Sequence, residues 1–268
     1  MTSAVIDLHI RRIEYSNYAC AANCHKPGLP AKSKITTDYY KMTEQTLGAI
    51  RALIFDLDGT LIDSAPDLQA AANRMLKPLG RREVSVPEVQ LMIGDGVPKL
   101  VERCFEATGD IPPEEEFQKH VAAFIADYEP RSAELTCAFE GAIDALKGLK
   151  DKGIKLSICT NKPYGATMEI LGKLGLDQYF DIVIGGDTLP GIKKPDPRHL
   201  EAALEKMGVE PKDSAMVGDN GNDVQASHAA GLPVVLLSHG YTKIPVNELG
   251  SEAVIDHFSD LENALTNL

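Results

Sequence analysis

From about residue 50 onward, short apolar runs closed by polar turns alternate with stretches whose apolar residues fall three or four apart. RALIFD (51–56), IKLSICT (154–160), FDIVIGG (180–186), DSAMVGD (213–219) and LPVVLLS (232–238) are the apolar runs. They are short and end at turn residues, the pattern of strands buried on both faces. Between them, residues 142–152, 164–174, 198–207 and 222–230 carry helical spacing with a glycine near the end. Strands alternating with helices predict an α/β fold, a three-layer Rossmann-like core whose parallel sheet is covered on both faces.

One interval breaks the alternation. Residues 66–137 show only helical periodicity, in LQAAANRML, VPKLVERCFEA and EEEFQKHVAAFIADY. This predicts an inserted α-helical cap subdomain (66–137) that splits the core into 49–65 and 138–268. The run Glu114 to Glu116 reads as a first helical turn, where carboxylates oppose the helix dipole. Residues 1–48 read as an N-terminal extension outside the pattern, with Met42 as an alternative start. The segment has no apolar stretch of the secretory type. Its CAANCH stretch has the wrong spacing for a haem attachment site and lacks a second ligand pair for zinc.

Composition narrows the function. The 268 residues carry a formal net charge of -12, which argues against nucleic acid as a partner because a phosphate backbone would be repelled. A small anionic substrate needs only a local positive site. The extension holds six Lys/Arg against three acids before Met42, so the negative charge lies in the remainder. Five scattered cysteines form no disulfide framework and fit a reducing cytoplasm. The longest apolar runs are too short to cross a bilayer, so no membrane partner is expected.

Ligands of an open parallel sheet bind beyond the carboxyl ends of its strands. Those ends here carry Asp56 and Asp58, then Thr160, Asn161 and Lys162, then Asp219, with Asp223 in the next turn. Lys193 and Lys194 follow the third strand. Any one of these could be a helix cap, but the set converges at successive strand ends. Clustered carboxylates are tolerable around a hard cation such as Mg²⁺, which bridges carboxylate oxygens to a substrate phosphate. One carboxylate can attack phosphorus and form an aspartyl-phosphate. A second, two residues on, can protonate the leaving oxygen and then activate water, a contribution of about 10²–10⁴ in rate. Thr160 and Asn161 could hydrogen-bond phosphoryl oxygens, and Lys194 could neutralise their charge.

FDLDGTLIDS (55–64), CTNK (159–162), KKPDP (193–197) and GDNGND (218–223) together resemble the four motifs of the haloacid dehalogenase-like hydrolases, in order and in spacing. The resemblance implies Asp56 as nucleophile and Asp58 as general acid and base. Lys194 would complete the catalytic set, and Thr160, Asn161 and Lys162 would bind the phosphoryl group. Mg²⁺ would be held by Asp56, the backbone carbonyl of Asp58 and Asp219, with Asp223 ligating through water or orienting the site. The helical insert would be a cap that closes over substrate. The cap stretch IGDGVPKLVERCF, together with TNKP, VIGGD and HGY, is similar to the members of the family that hydrolyse 2-phosphoglycolate.

Gly94 and Gly96 would let a cap loop approach such a small phosphorylated metabolite, although a plain helix-breaking turn reads equally well. Lys99 and Arg103 read as a solvated helix face. A phosphatase for another small phosphomonoester or for pyrophosphate, and a phosphomutase, remain alternatives. So, outside this class, does a non-catalytic phosphate- or metal-binding module. A dehalogenase would have no need of Asp58. No GxxxxGK[ST] or HExxH motif is present. His120, His199 and His228 read as ordinary helix residues, and Cys159 as a small buried side chain. The expected enzyme is a cytoplasmic monomer or homodimer.

Overall fold

A computed structural model describes residues 50–268. The expectations for the extension (1–48), for Met42 and for CAANCH concern residues outside those described. Six parallel strands form the main sheet: β1 (Ala52–Phe55), β4 (Lys155–Cys159), β5 (Ile182–Ile184), β6 (Ser214–Gly218), β7 (Val234–Leu237) and β8 (Ala253–Ile255). Their spatial order is β5-β4-β1-β6-β7-β8. The connection leaves β1 in one direction for two strands and returns to its other side at β6. A crevice therefore opens between the carboxyl ends of β1 and β6.

Side chains alternate across the sheet, as period-2 geometry demands. Leu53, Phe55, Leu156, Ile158 and Val217 enter one core, against α5 (Ala142–Asp151), α6 (Tyr164–Leu174) and α9 (Leu261–Thr266). Ala52, Ile54, Met216, Val234 and Leu236 enter the other, against α7 (Arg198–Met207) and α8 (Gly221–Ala229). The result is the three-layer α/β arrangement expected from the sequence. Helices α6 and α7 stop at Gly175 and Gly208, both in the left-handed region that glycine enters without a Cβ penalty.

After β1 the chain forms β2 (Ile62–Asp63) and then four helices: α1 (Ala65–Leu76), α2 (Val86–Gln90), α3 (Val97–Thr108) and α4 (Glu114–Tyr128). They enclose their own apolar cluster, which includes Leu76, Val89, Leu100, Phe105 and Phe124. The chain returns through β3 (Cys137–Ala138), which pairs antiparallel with β2. Both passages between core and insertion are thus tied side by side. At the junction Asp67 accepts hydrogen bonds from the backbone N–H groups of Leu135 and Thr136 and from the Thr136 hydroxyl. Among the described residues no helix is long and apolar enough to cross a membrane.

Candidate active site

The acids expected at the strand ends converge, and each meets a different set of partners. Asp56 leaves β1 with Oδ1 fixed by the Leu57 N–H at 2.7 Å and by Lys194 Nζ at 2.9 Å. Its Oδ2 accepts no hydrogen bond from the described residues. Lys194 is 2% exposed and also donates to Asp223 Oδ1 at 2.7 Å. Burial alone would lower its pKa, but the Asp223 and Asp56 carboxylates outweigh burial and raise it, so the ammonium stays charged.

Asp58 turns away from this group. Its Oδ1 accepts from Ser64 at 2.5 Å and from Lys162 Nζ at 2.9 Å, and its Oδ2 accepts from Lys162 at 3.0 Å. Each aspartate of the pair therefore has its own lysine. Separate cations reduce the repulsion that two carboxylates in one buried site would otherwise feel.

Asp219 closes the far side. Thr60 donates to its Oδ1 at 3.0 Å, and the Tyr241 N–H donates to its Oδ2 at 2.7 Å. A Cβ at Gly59 would meet Asp219 Oδ2 at 2.5 Å, and one at Gly240 would overlap the same side chain. Glycine is required at both places. Asp223 lies in the first turn of α8, where its Oδ2 accepts the N–H groups of Asp219 and Asn220. It completes a capping box with Asn220.

Asp56, Asp219 and Asp223 each offer an oxygen, and the three atoms lie within 4.8 Å of one another. Burial and the neighbouring acids push Asp219 well above the usual carboxylate range. Burial likewise lifts Asp56 to about 6, with Lys194 opposing and Asp223 reinforcing the shift. Four carboxylates thus face only two lysines in a nearly dry site. The donor set is all hard oxygen, and the charge deficit is that of one divalent cation. These residues fit Mg²⁺. The expected set gains Asp223 as a neighbour, whereas the Asp58 carboxylate is committed to Lys162.

Thr160 and Lys162 line the cavity with Asp56 and Asp58. Thr160 Oγ1 accepts the Lys162 N–H at 3.2 Å, which leaves the hydroxyl proton free to donate. The Asn161 side chain is used differently from the expectation: both donations of its amide go to backbone carbonyls, Gly94 at 2.8 Å and Lys194 at 2.9 Å. Gly94 and Gly96 also line the cavity, with φ of 114° and 87°. The loop they frame is strapped to the sheet by three core residues. Besides Asn161, Asn222 donates to Asp95 Oδ1 at 2.9 Å and Lys193 donates to the Asp95 carbonyl at 2.5 Å.

Arg103 departs from the solvated reading. It pairs with Asp95 at 2.5 Å and donates to the Met92 carbonyl, because the loop before α3 folds back onto that face. Among the described residues Lys99 pairs only with Glu102, one helical turn away. His199 is buried in α7. Cys159 is buried in β4, and burial pushes its thiol up, away from nucleophilic use. Thr60 and Ser64 lie inside the FDLDGTLIDS stretch without a role assigned to them, whereas Tyr128 and Tyr241 are joined to the acids only by the fold.

Comparison with known proteins identifies the family of the chain. The family model described as haloacid dehalogenase-like hydrolase matches residues 53–237. A phosphoglycolate phosphatase of Rhodospirillum rubrum is 41% identical over 215 residues, 79% of this chain and 89% of that protein. One from Cereibacter sphaeroides is 39% identical over 216 residues, 81% of this chain and 98% of that protein. Among solved structures, one described as a predicted phosphoglycolate phosphatase from Haemophilus somnus superposes with a TM-score of 0.75 at 32% identity. That match covers 80% of this chain and 97% of the other.

Proposed function

The chain belongs to the haloacid dehalogenase-like hydrolases, and from that premise we propose that it hydrolyses 2-phosphoglycolate to glycolate and phosphate, with Mg²⁺, through an aspartyl-phosphate on Asp56. The observation that carries the chemistry is the paired arrangement of Asp56 on Lys194 and Asp58 on Lys162 around one cavity. The relatives' names supply the substrate.

In the first step Asp56 Oδ2 attacks phosphorus. The bond from phosphorus to the glycolate oxygen breaks, and Asp58 delivers a proton to that oxygen as it leaves. In the second step Asp58 takes a proton from water. The water oxygen bonds to phosphorus, the bond to Asp56 breaks, and phosphate is released. Lys194 holds Asp56 in its attacking orientation and, with the Thr160 hydroxyl, offsets charge on the phosphoryl oxygens. Asp56, Asp219 and the Asp58 carbonyl would hold Mg²⁺, with Asp223 beside them. When bound, the ion would supply positive charge to the transferring phosphoryl group.

The insertion, 66–137, serves as a cap over this reaction. The cavity between insertion and sheet has only about 30 Å³ of room for a water-sized sphere, too little for the substrate with the loop in this position. Substrate entry requires the Gly94–Gly96 loop to lift from Asn161, Lys193 and Asn222, and its return excludes water from the first step.

Initial rates of phosphate release test the reading. The panel is 2-phosphoglycolate, β-glucose 1-phosphate, pyrophosphate and an aryl phosphate, each with and without Mg²⁺. The expected result is a kcat/KM for 2-phosphoglycolate far above the others and lost on chelation. A higher kcat/KM for another compound would overturn the substrate, and turnover that survives chelation would overturn the metal.

A further inference from the structure

The cavity contains a polar group that the chemistry of Asp56 and Asp58 leaves unused. Tyr128, the last residue of α4, is 1% exposed. Its ring stacks on Phe124 with centroids 5.8 Å apart, and Lys162 Nζ lies 4.9 Å from the ring centre. The hydroxyl is buried close to the Lys162 ammonium but has no partner at full hydrogen-bonding distance among the described residues. That is a costly state for a polar group, and one that calls for an explanation. Burial pushes the phenol up to about 12, so at neutral pH it keeps its proton and is able to donate.

Position says what it would donate to. Lys194 holds Asp56, the proposed nucleophile, and Lys162 holds Asp58, the proposed proton donor to the leaving oxygen. Tyr128 packs against Lys162 and lines the same cavity, so under the proposed chemistry it stands beside the organic half of the substrate. The N-terminus of α3 opens onto the same cavity: Gly96 and Val97 line it, and its N-cap residue, Gly96, has no side chain to cap the helix. Lys162 already has Asp58 as its partner, so the orphaned hydroxyl and the helix N-terminus are the donors left to favour an anion, with the Lys162 ammonium beside them.

We propose that Tyr128 is a specificity-determining residue. Its hydroxyl, with Lys162 and the N-terminus of α3, receives a carboxylate on the organic part of the substrate while Asp56 takes the phosphoryl group. The inference rests on the phosphoglycolate reading, which places a carboxylate one carbon beyond the ester oxygen.

The test compares 2-phosphoglycolate with ethyl phosphate, which has the same carbon count and no carboxylate, in the Mg²⁺-loaded wild type and in Tyr128→Phe. The substitution keeps the ring that stacks on Phe124 and removes only the hydroxyl, and the thermal midpoint checks that the fold is retained. The ratio of kcat/KM values, 2-phosphoglycolate over ethyl phosphate, should fall by about ten- to a hundredfold. Inhibition by glycolate should weaken with it. A wild-type preference that survives intact in Tyr128→Phe overturns the role of Tyr128 alone, as does an equal loss on both substrates. A wild type that shows no preference overturns the phosphoglycolate reading itself, and this role with it.

Discussion

Asp56 and Asp219 face each other across the end of the β1–β6 crevice with too little positive charge between them. Burial, with Lys194 opposing it, lifts Asp56 to about 6, above the 3.8 of the free side chain. Between about pH 4 and 6 the folded state therefore binds more protons than the unfolded state, so stability falls as pH rises through that window. Above it, the uncompensated charge persists until a cation neutralises it. Mg²⁺ should consequently raise the thermal midpoint more at pH 7.5 than at pH 5, where protons compete for the same oxygens. Thermal unfolding with Mg²⁺ and with chelator at the two pH values checks this. A shift of equal size at both, or none at either, would contradict the metal assignment. Glycine sets the rest at this scale: any Cβ at Gly240 would intrude on Asp219, and no spacing rule in the sequence announces that contact.

At the scale of elements, the strands were legible because a parallel strand buried on both faces reads as an unbroken apolar run. Helices α6 and α7 begin and end where the periodicity and their closing glycines place them. What escaped was short. The two-residue strands β2 and β3 are too brief to show any period, and β8 is three residues at the sheet edge. Helix α2 spans only five residues, although Ser85 and Glu88 form a capping box at its start.

The strap on the Gly94–Gly96 loop was illegible for another reason. It joins residues up to 128 positions apart in sequence, and only the folded chain brings them together. Asn222 makes two of its contacts, to Asp95 Oδ1 at 2.9 Å and to the Gly94 carbonyl at 3.3 Å. Loss of one or two ordinary hydrogen bonds at about 1 kcal/mol each should loosen the closed state in Asn222→Ala. KM for the substrate should then rise by roughly five- to thirtyfold while the thermal midpoint changes little. Steady-state kinetics decide, and an unchanged KM would show that the loop closes without this strap.

For the whole molecule, the sheet order explains why one region collects the chemistry. The direction of winding reverses between β1 and β6, and the carboxyl ends of those strands carry Asp56, Asp58 and Asp219. Strand β4 delivers Thr160 and Lys162 from one side, while the chain after β5 delivers Lys194. The helical insertion then roofs the site with Tyr128 and the Gly94–Gly96 loop. Four motifs scattered over about 170 residues thus meet at a single cavity. The motif residues themselves were readable in the sequence. Their division into two lysine-held aspartates was not, because which lysine meets which acid depends on how the loops after β4 and β5 fold back.

In the proposed mechanism Asp56 carries the phosphoryl group between the two steps. Borohydride reduces an acyl phosphate to an alcohol, so quenching steady-state turnover of 2-phosphoglycolate into borohydride would convert a phosphorylated aspartate to homoserine. Mass spectrometry of the peptide spanning Phe55 to Ser64 should find that change at position 56 alone, and only when both substrate and Mg²⁺ are present. Reduction at Asp58 instead, or an unmodified peptide from enzyme caught in full turnover, would contradict it.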